Sequence, residues 1–226
     1  MKTKQAPVEF LMIVLLLIPF GYLGVIWNQL PTMLPGHYDS NGQPDRYDPK
    51  GELTIVLAAT TALLYVAFRL APRFDPRAGL NMVLYQKIRW LVMLFWVVFT
   101  AWFWTISWRG IQPETLSHTL LVGLGLLIAG LGNLINSVKP NYFVGIRTPW
   151  TLESDVVWRK THQLGGRMLL AGGLLGAVLA LTVPTPYKVG AFVSVLILVA
   201  LVPVVYSYVY FRQEKARGFT ASCWKL

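Results

Sequence analysis

Val8-Glu-Phe-Leu-Met-Ile-Val-Leu-Leu-Leu-Ile-Pro-Phe-Gly-Tyr-Leu-Gly-Val-Ile-Trp-Asn28 is the stretch on which the fold turns. A helix that crosses a bilayer needs ~20 mainly apolar residues, and this run supplies them with a single charge, Glu9, at its edge. Lys2 and Lys4 precede it, which is also how a secretory signal peptide begins. Three features favour a retained span: the apolar length exceeds the ~7–15 residues of a signal core, no small-x-small cleavage pattern closes it, and Trp27 suits an interfacial anchor. Five more runs follow, at roughly 52–71, 89–109, 117–138, 165–183 and 187–211. With 55% hydrophobic and 13% charged residues and a mean hydropathy of +0.52, a water-soluble domain is excluded. An all-α polytopic membrane protein of six transmembrane helices is expected.

A net charge of +10 would raise the question of nucleic acid in a soluble protein. Here the distribution of that charge answers for topology. The amino terminus, the 72–88 loop, the 139–164 segment and the carboxyl tail, taken with the basic residues at adjoining helix ends, hold 16 of the 20 Lys and Arg; Arg46, Lys50, Arg109 and Lys188 remain on the other side. The positive-inside rule then makes both termini cytoplasmic, attraction to membrane lipids of negative charge is a secondary effect, and no direct nucleic-acid binding is implied. Cys223, the single cysteine, has no internal disulfide partner and supports no Cys-rich metal site; an inert residue is favoured over palmitoylation.

The chain divides into an amino-terminal region, 1–110, with three helices and the long outward loop 29–51, and a second region, 111–226, with three helices and the inward segment 139–164. No repeat of 20 to 50 residues is visible, which excludes a solenoid and gives no support to an inverted-repeat transporter. The outward loop carries four prolines and three glycines between Gln29 and Gly51. Asn41-Gly42 tolerates positive φ, so a hairpin-like cap is expected. His37, Asp39, Asp45 and Asp48 read as a solvated turn whose aspartates bond their own backbone, with a hard-cation site as the alternative; no EF-hand spacing is present.

The third run is rich in Trp and Phe. Phe95, Phe99 and Trp102 recur on one helical face, where packing and lipid contact are favoured over a cage for a cationic ligand. Gly125, Ala129, Gly132 and Asn133 form a stripe on the fourth run, and Gly172, Gly176 and Ala180, flanked by Gly173 and Ala177, form another on the fifth. Small residues at such steps let helix backbones touch, so these two helices are expected to pack on each other or on close neighbours. Pro203 should bend the sixth.

Between the fourth and fifth runs lies the densest polar and aromatic segment. Asn133 and Asn136 sit on the last turn of helix four and, as amides near hydrocarbon, are expected to bond across to helix five or to the loop. Pro140 ends the helix and Gly145 frees a turn before Arg147-Thr148-Pro149-Trp150, a guanidinium fork, a hydroxyl, a rigid ring and an interfacial indole. Thr151 is the expected N-cap, with Ser154 as the alternative, of a short amphipathic cytoplasmic helix over about 152–163. Trp158 and His162 share its face. His162 with Glu153 or Asp155 is the only acid-base candidate. A hydrogen-bonding role for the histidine is favoured, because neither a nucleophile elbow, a His-Glu-x-x-His zinc motif nor paired intramembrane aspartates occurs; no catalytic residue, metal site or cofactor is assigned.

The run from Gly132-Asn133-x-x-Asn136 through Lys139-Pro140-Asn141-x-Phe143-x-Gly145-Ile146-Arg147-Thr148-Pro149-Trp150, continued by Trp158-x-x-Thr161-His162-x-x-Gly165-Gly166, resembles the signature of the SdpI family of bacterial immunity proteins. The outward loop, with Pro35, His37, Gly42, Pro44, Asp45 and Lys50, is similar to the uncharacterised membrane domain that commonly precedes that signature. The resemblance implies a multi-pass protein of the bacterial plasma membrane that protects against a secreted antimicrobial peptide toxin, and that in the best-known member also signals by holding a cytoplasmic transcriptional repressor at the membrane. It marks the second-motif residues as a ligand or signalling segment without giving each a role. A small transporter or channel for a peptide or lipid, with Asn133, Asn136 and a kinked sixth helix as its path, is the alternative.

Overall fold

The computed structural model describes residues 6–39, 43–74, 81–110 and 113–223. Six of its helices are long and apolar enough to cross a membrane. The first, α1 (Ala6–Ile26), ends in a short 3-10 turn at Trp27–Gln29 and leads into a hairpin of β1 (Met33–Tyr38) and β2 (Pro44–Pro49). Helix α2 (Lys50–Leu70) follows directly, then α3 (Met82–Arg109), α4 (Pro113–Ile135), the five-residue α5 (Pro149–Glu153), α6 (Asp155–Thr182) and α7 (Tyr187–Cys223). Large apolar side chains such as Val25, Ile55, Leu63, Val98 and Leu181 stay exposed on the outer faces, as lipid contact requires.

The expected outward cap is the hairpin. Its strands pair antiparallel from Met33 opposite Pro49 to Tyr38 opposite Pro44, and the register shifts on either side of His37. Asp39 closes the turn, its backbone N–H donating to the Gln43 carbonyl at 2.8 Å and its carboxylate accepting from the Gln43 N–H at 2.7 Å. Gly42 and the Asn41-Gly42 turn lie outside the described residues. Two anchors fix the hairpin to the bundle. Leu34, 1% exposed, inserts among Leu23, Ile26, Leu30 and Trp104. The Lys50 ammonium donates to the carbonyls of Trp27 and Leu30 at 2.8 and 3.2 Å, at the short turn that follows α1, and sits 4.6 Å from the Trp27 ring centre.

The first three spans are tied by charge. Arg89 on α3 is buried, and its two terminal nitrogens donate to the two Glu9 oxygens on α1 at 2.6 and 2.7 Å. From α2, the Tyr65 hydroxyl donates to the same carboxylate at 2.9 Å and Arg69 Nε stands 3.7 Å away. The Tyr85 hydroxyl next to this group donates to the Phe68 carbonyl, fixing α3 to the end of α2. Arg89, assigned from sequence to the basic flank of a loop, is therefore a partner inside the bundle. Lone opposite charges inside two apolar runs were the available signal.

The second three spans are tied by backbone contact, as the small-residue stripes predict. A Cβ on Gly125 would collide with the backbone of Gly173 and Ala177, and one on Gly132 with the backbone of Gly166 and Leu170, so α4 and α6 cross at main-chain distance. The stripe on α6 that meets α4 is Gly166, Gly173 and Ala177. Gly172 and Gly176 face the other way, against Val199 and Phe192 of α7. Pro203 is buried within a continuous α7 and packs toward Gly165.

One boundary differs from the sequence expectation. The amphipathic stretch placed at 152–163 is not a helix of its own: α6 begins at Asp155 and runs unbroken into the fifth span. Nothing between 155 and 165 breaks a helix, and Thr161 and His162 are buried against neighbours, so the polar turns simply extend the span.

Candidate functional site

The motif segment folds around two side chains that accept or donate on every polar atom they own. Asn141 is 1% exposed. Its amide nitrogen donates to the Lys139 and Val144 carbonyls at 2.8 and 3.0 Å, while its oxygen accepts from the Phe143 and Val144 N–H groups at 2.8 and 2.7 Å. That single amide replaces the ladder a loop lacks and folds 139–144 into a closed turn. His162, also 1% exposed, is the second. Its Nε2 lies 2.9 Å from the Ile146 N–H and its Nδ1 lies 2.8 Å from the Trp158 carbonyl. Only a neutral ring with the proton on Nδ1 satisfies both, because one neighbour is a donor and the other an acceptor.

Trp158 completes the centre. It is fully buried, stacks on His162 with ring centres 4.0 Å apart, and donates from Nε1 to the Val138 carbonyl at 2.8 Å. The loop passes directly over this pair at Gly145, whose φ is +122° and where any Cβ would fall on the His162 ring. Glycine is required there twice, by backbone conformation and by space. Thr161, also fully buried, has a hydroxyl without a partner among the described residues.

The Arg147-Thr148-Pro149-Trp150 turn is held against α7. Thr148, not Thr151, caps the helix that follows: its hydroxyl accepts from the Thr151 N–H while the Thr151 hydroxyl accepts from the Thr148 N–H, and Pro149 occupies the first helical position. Thr151 is consumed inside that reciprocal pair, so the capping of α6 falls to the alternative, Ser154, which accepts from the Val157 N–H. Trp150 donates from its indole to the buried Ser207 hydroxyl and meets the Tyr208 ring edge-on at 5.2 Å. Ser154 further donates to Glu214 at 2.8 Å, and Glu153 pairs with Lys215 at 3.0 Å. Ser207, Glu214 and Lys215 carried no signal in a sequence read for motifs, since a lone serine in the sixth run and charges in the tail after it match no motif. Arg147 itself is exposed and donates to the Tyr142 carbonyl, bracing the two ends of the turn.

Several expected participants stand elsewhere. Asn133 and Asn136 do not bond across to α6 or to the loop; both are exposed, since Gly132 and Gly166 bring the two backbones together and leave no room for a bridging amide between them. Phe143 is half-buried, and Pro140 lines the cleft beside Asn136. His162 faces main-chain groups rather than Glu153 or Asp155, so the acid-base arrangement considered from sequence is not assembled.

The hairpin residues form a separate group. His37 and Asp45 pair at 2.7 Å, Arg46 and Asp48 at 3.0 Å, and Asp39 accepts from the Gln43 backbone, so each aspartate has its own partner rather than converging on a common point. Pro35 and Pro44 lie in the paired strands opposite Tyr47 and Tyr38. Tyr38 is half-buried, and desolvation, with Tyr47 nearby as a lesser cause, pushes its hydroxyl pKa above the ordinary value. Beneath the hairpin is a cavity of about 340 Å³, bounded by Pro35 and Tyr38, by Phe99, Trp102 and Phe103 of α3, and by Leu121 of α4. Two members of the aromatic stripe read from sequence, Phe99 and Trp102, 6.0 Å apart, stand in its wall, and the third, Phe95, packs behind Phe99 at 6.3 Å.

Helix α3 joins the two groups. Its first turns, at Tyr85 and Ile88, line a small cleft with Val138, Asn141 and Val144, and its last turns line the cavity under the hairpin. At 1.5 Å per residue this helix of 28 residues is roughly 40 Å long, so hairpin and motif segment stand at opposite ends of the bundle.

Comparison with known proteins falls on the same two regions. Residues 137–210 match the SdpI/YfhL protein family, and residues 14–68 match a domain of unknown function, DUF1648. A curated relative, Immunity protein SdpI of Bacillus subtilis (strain 168), is 23% identical over 193 residues, covering 84% of this chain and 88% of that protein. No solved structure matches the chain. The polar turn packed on α6 and α7 thus falls within the stretch similar to the SdpI/YfhL family, and most of the first two spans, with their hairpin, falls within the stretch similar to DUF1648.

Proposed function

We propose that this chain is a multi-pass membrane immunity protein that protects its cell against a secreted antimicrobial peptide, with the hairpin outside and the motif segment and both termini in the cytoplasm. The observation that carries the reading is the placement of two ordered polar elements at opposite ends of α3, one roofing an aromatic cavity and the other packed on α6 and α7. Support comes from the relative named as an immunity protein, which aligns along most of both chains. An apolar or aromatic side chain of an attacking peptide suits a pocket of about 340 Å³ walled by Phe99, Trp102 and Phe103. The 16 to 4 division of basic residues supports the orientation.

The same reading extends to a report inward. The motif segment is bonded to α7 through Trp150, Ser154 and Glu153, so a shift of α7 moves the exposed Arg147 turn that a cytoplasmic regulator would meet. Transport is less well supported: α4, α6 and α7 touch along the glycine faces of α6, and Asn133 and Asn136 point outward rather than along a path.

The test is expression in a toxin-sensitive bacterium, scored as survival in the presence of the purified peptide. Protection that disappears with Trp102→Ala, at matched membrane abundance, supports the reading. Unchanged killing with folded protein present refutes it for that peptide, and labelling that finds the hairpin and Arg147 on one face of the bilayer refutes the orientation.

A further inference from the structure

Asn136, Lys139 and Pro140 form one wall of an open cleft of about 450 Å³ between the end of α4 and the start of α6. The opposite wall is Asp155, Arg159 and Gln163, which recur every four residues on one face of α6. The floor is rigid, because Val138 is buried beside Ile88 and its carbonyl is held by the Trp158 indole. The walls are uncommitted: among the described residues, the side chains of Asn136, Lys139, Arg159 and Gln163 have no hydrogen-bond or ion-pair partner in the protein. The cleft lies just past the α4 span, which ends at Ile135, and along the polar first turns of α6.

We propose that this cleft binds a phosphodiester anion, the headgroup of an anionic phospholipid being its source in a membrane. The argument is independent of the immunity reading. A guanidinium fork and an ammonium bond phosphate oxygens directly, and two primary amides add neutral donors. Lys139 and Arg159 less Asp155 leave one net positive charge, which matches the single charge of a diester and is a poor match for a dianionic monophosphate. The amide chemistry of Asn136, which finds no partner across the α4–α6 seam, is thereby used.

The experiment follows the thermal unfolding midpoint of the full chain in neutral detergent while short-chain phosphatidylglycerol, short-chain phosphatidylcholine or inorganic phosphate is added. Phosphatidylglycerol is expected to raise the midpoint saturably, with phosphatidylcholine and inorganic phosphate far weaker. Lys139→Gln/Arg159→Gln should raise the half-saturating phosphatidylglycerol concentration by about tenfold or more, since one charge-assisted bond is worth about that factor. Arg73→Gln/Arg212→Gln, which removes the same charge from exposed positions elsewhere, should leave it within about twofold. Asp155→Asn, which deletes the one repulsive group, should tighten binding several-fold and shows the effect even if the double variant folds poorly. Equal weakening by both double variants reduces the effect to bulk charge and overturns the site. Absence of saturation, or a response to inorganic phosphate alone, overturns the diester assignment.

Discussion

Glu9 and Arg89 offer the sharpest test of how the first three spans hold together. The Arg89 side chain is 1% exposed and Glu9 14%. Replacing Glu9 by Ala removes both acceptors of the guanidinium at 2.6 and 2.7 Å, and its Nε has no partner among the described residues, so a buried cation is left with no hydrogen bond to them from any of its three nitrogens. Breaking one side of such a pair costs about 3–5 kcal/mol, because the remaining charge keeps its desolvation penalty and loses its compensation. Replacing both, as Glu9→Leu/Arg89→Leu, removes the charges together and should cost far less, within about 1–2 kcal/mol of the native chain. The assay is a double-mutant cycle of Glu9→Leu, Arg89→Leu and their pair on reversible unfolding in mixed detergent micelles, with a coupling of at least about 2 kcal/mol expected. A Glu9→Ala loss under about 1 kcal/mol, or a double variant as unstable as the two single losses added, would refute the reasoning and make this pair an incidental contact.

Gly145→Ala should be strongly destabilising, by about 2–4 kcal/mol, because a side chain at φ +122° is strained and its Cβ displaces the His162 ring; unfolding midpoints of the purified variant check it. Gly173→Ala should cost about 1–3 kcal/mol, since the new methyl meets Ala129 and Gly125 backbone that cannot yield, while Gly21→Ala, where nothing lies within 4 Å, should be neutral or stabilising by up to about 1 kcal/mol. Arg147→Ala should reduce protection of a toxin-challenged cell more than Arg73→Ala at equal abundance, because Arg147 braces the motif turn through Tyr142 whereas Arg73 is exposed just past the end of α2.

Six spans, the hairpin cap and the small-residue face of α4 were legible because each is written in local pattern: apolar length, turn residues and closely spaced small residues; on α6 the four-residue stripe of Gly172 and Gly176 meets α7, and the face against α4 is Gly166, Gly173 and Ala177. The pairing of Trp158 with His162 was legible for the same reason, four residues being one helical turn. What failed were statements about partners. Asn133 and Asn136 looked buried because they follow an apolar run, yet Gly132 and Gly166 draw the two backbones together and leave the amides on the outside. Thr151 looked like a cap because it precedes acidic residues, but Thr148 lies one turn earlier with Pro149 behind it and takes that place. Glu9 and Arg89 are separated by 80 positions, and no periodicity connects them. Sequence pattern records which face a residue occupies; which neighbour stands opposite that face is decided by the bundle.

The two halves therefore differ in what a perturbation does to them. In the second, α6 touches α4 backbone to backbone and on its other face takes the Val199 and Phe192 side chains of α7 against Gly172 and Gly176, and close-packed surfaces of that kind do not deform gradually. In the first, α2 has only Thr61 buried and is joined to α1 and α3 through side chains: the Glu9 carboxylate, the Trp96 indole on Thr61 at 2.8 Å and the Tyr85 hydroxyl. Side-chain ties can exchange partners without opening a cavity, whereas the glycine seams cannot. A peptide engaging the hairpin end acts on Leu34 and Lys50, which hold α1 and the start of α2, so the compliant half is the one it reaches first. Helix α3 then carries any displacement to Val138 and Val144 at its far end, where the Asn141 turn and the Trp158–His162 pair form a rigid receiver. Helix α3 thus joins a compliant end to a stiff one, and the inward report of the proposed function leaves that stiff end through α7, whose bonds to Trp150 and Ser154 carry the Arg147 turn.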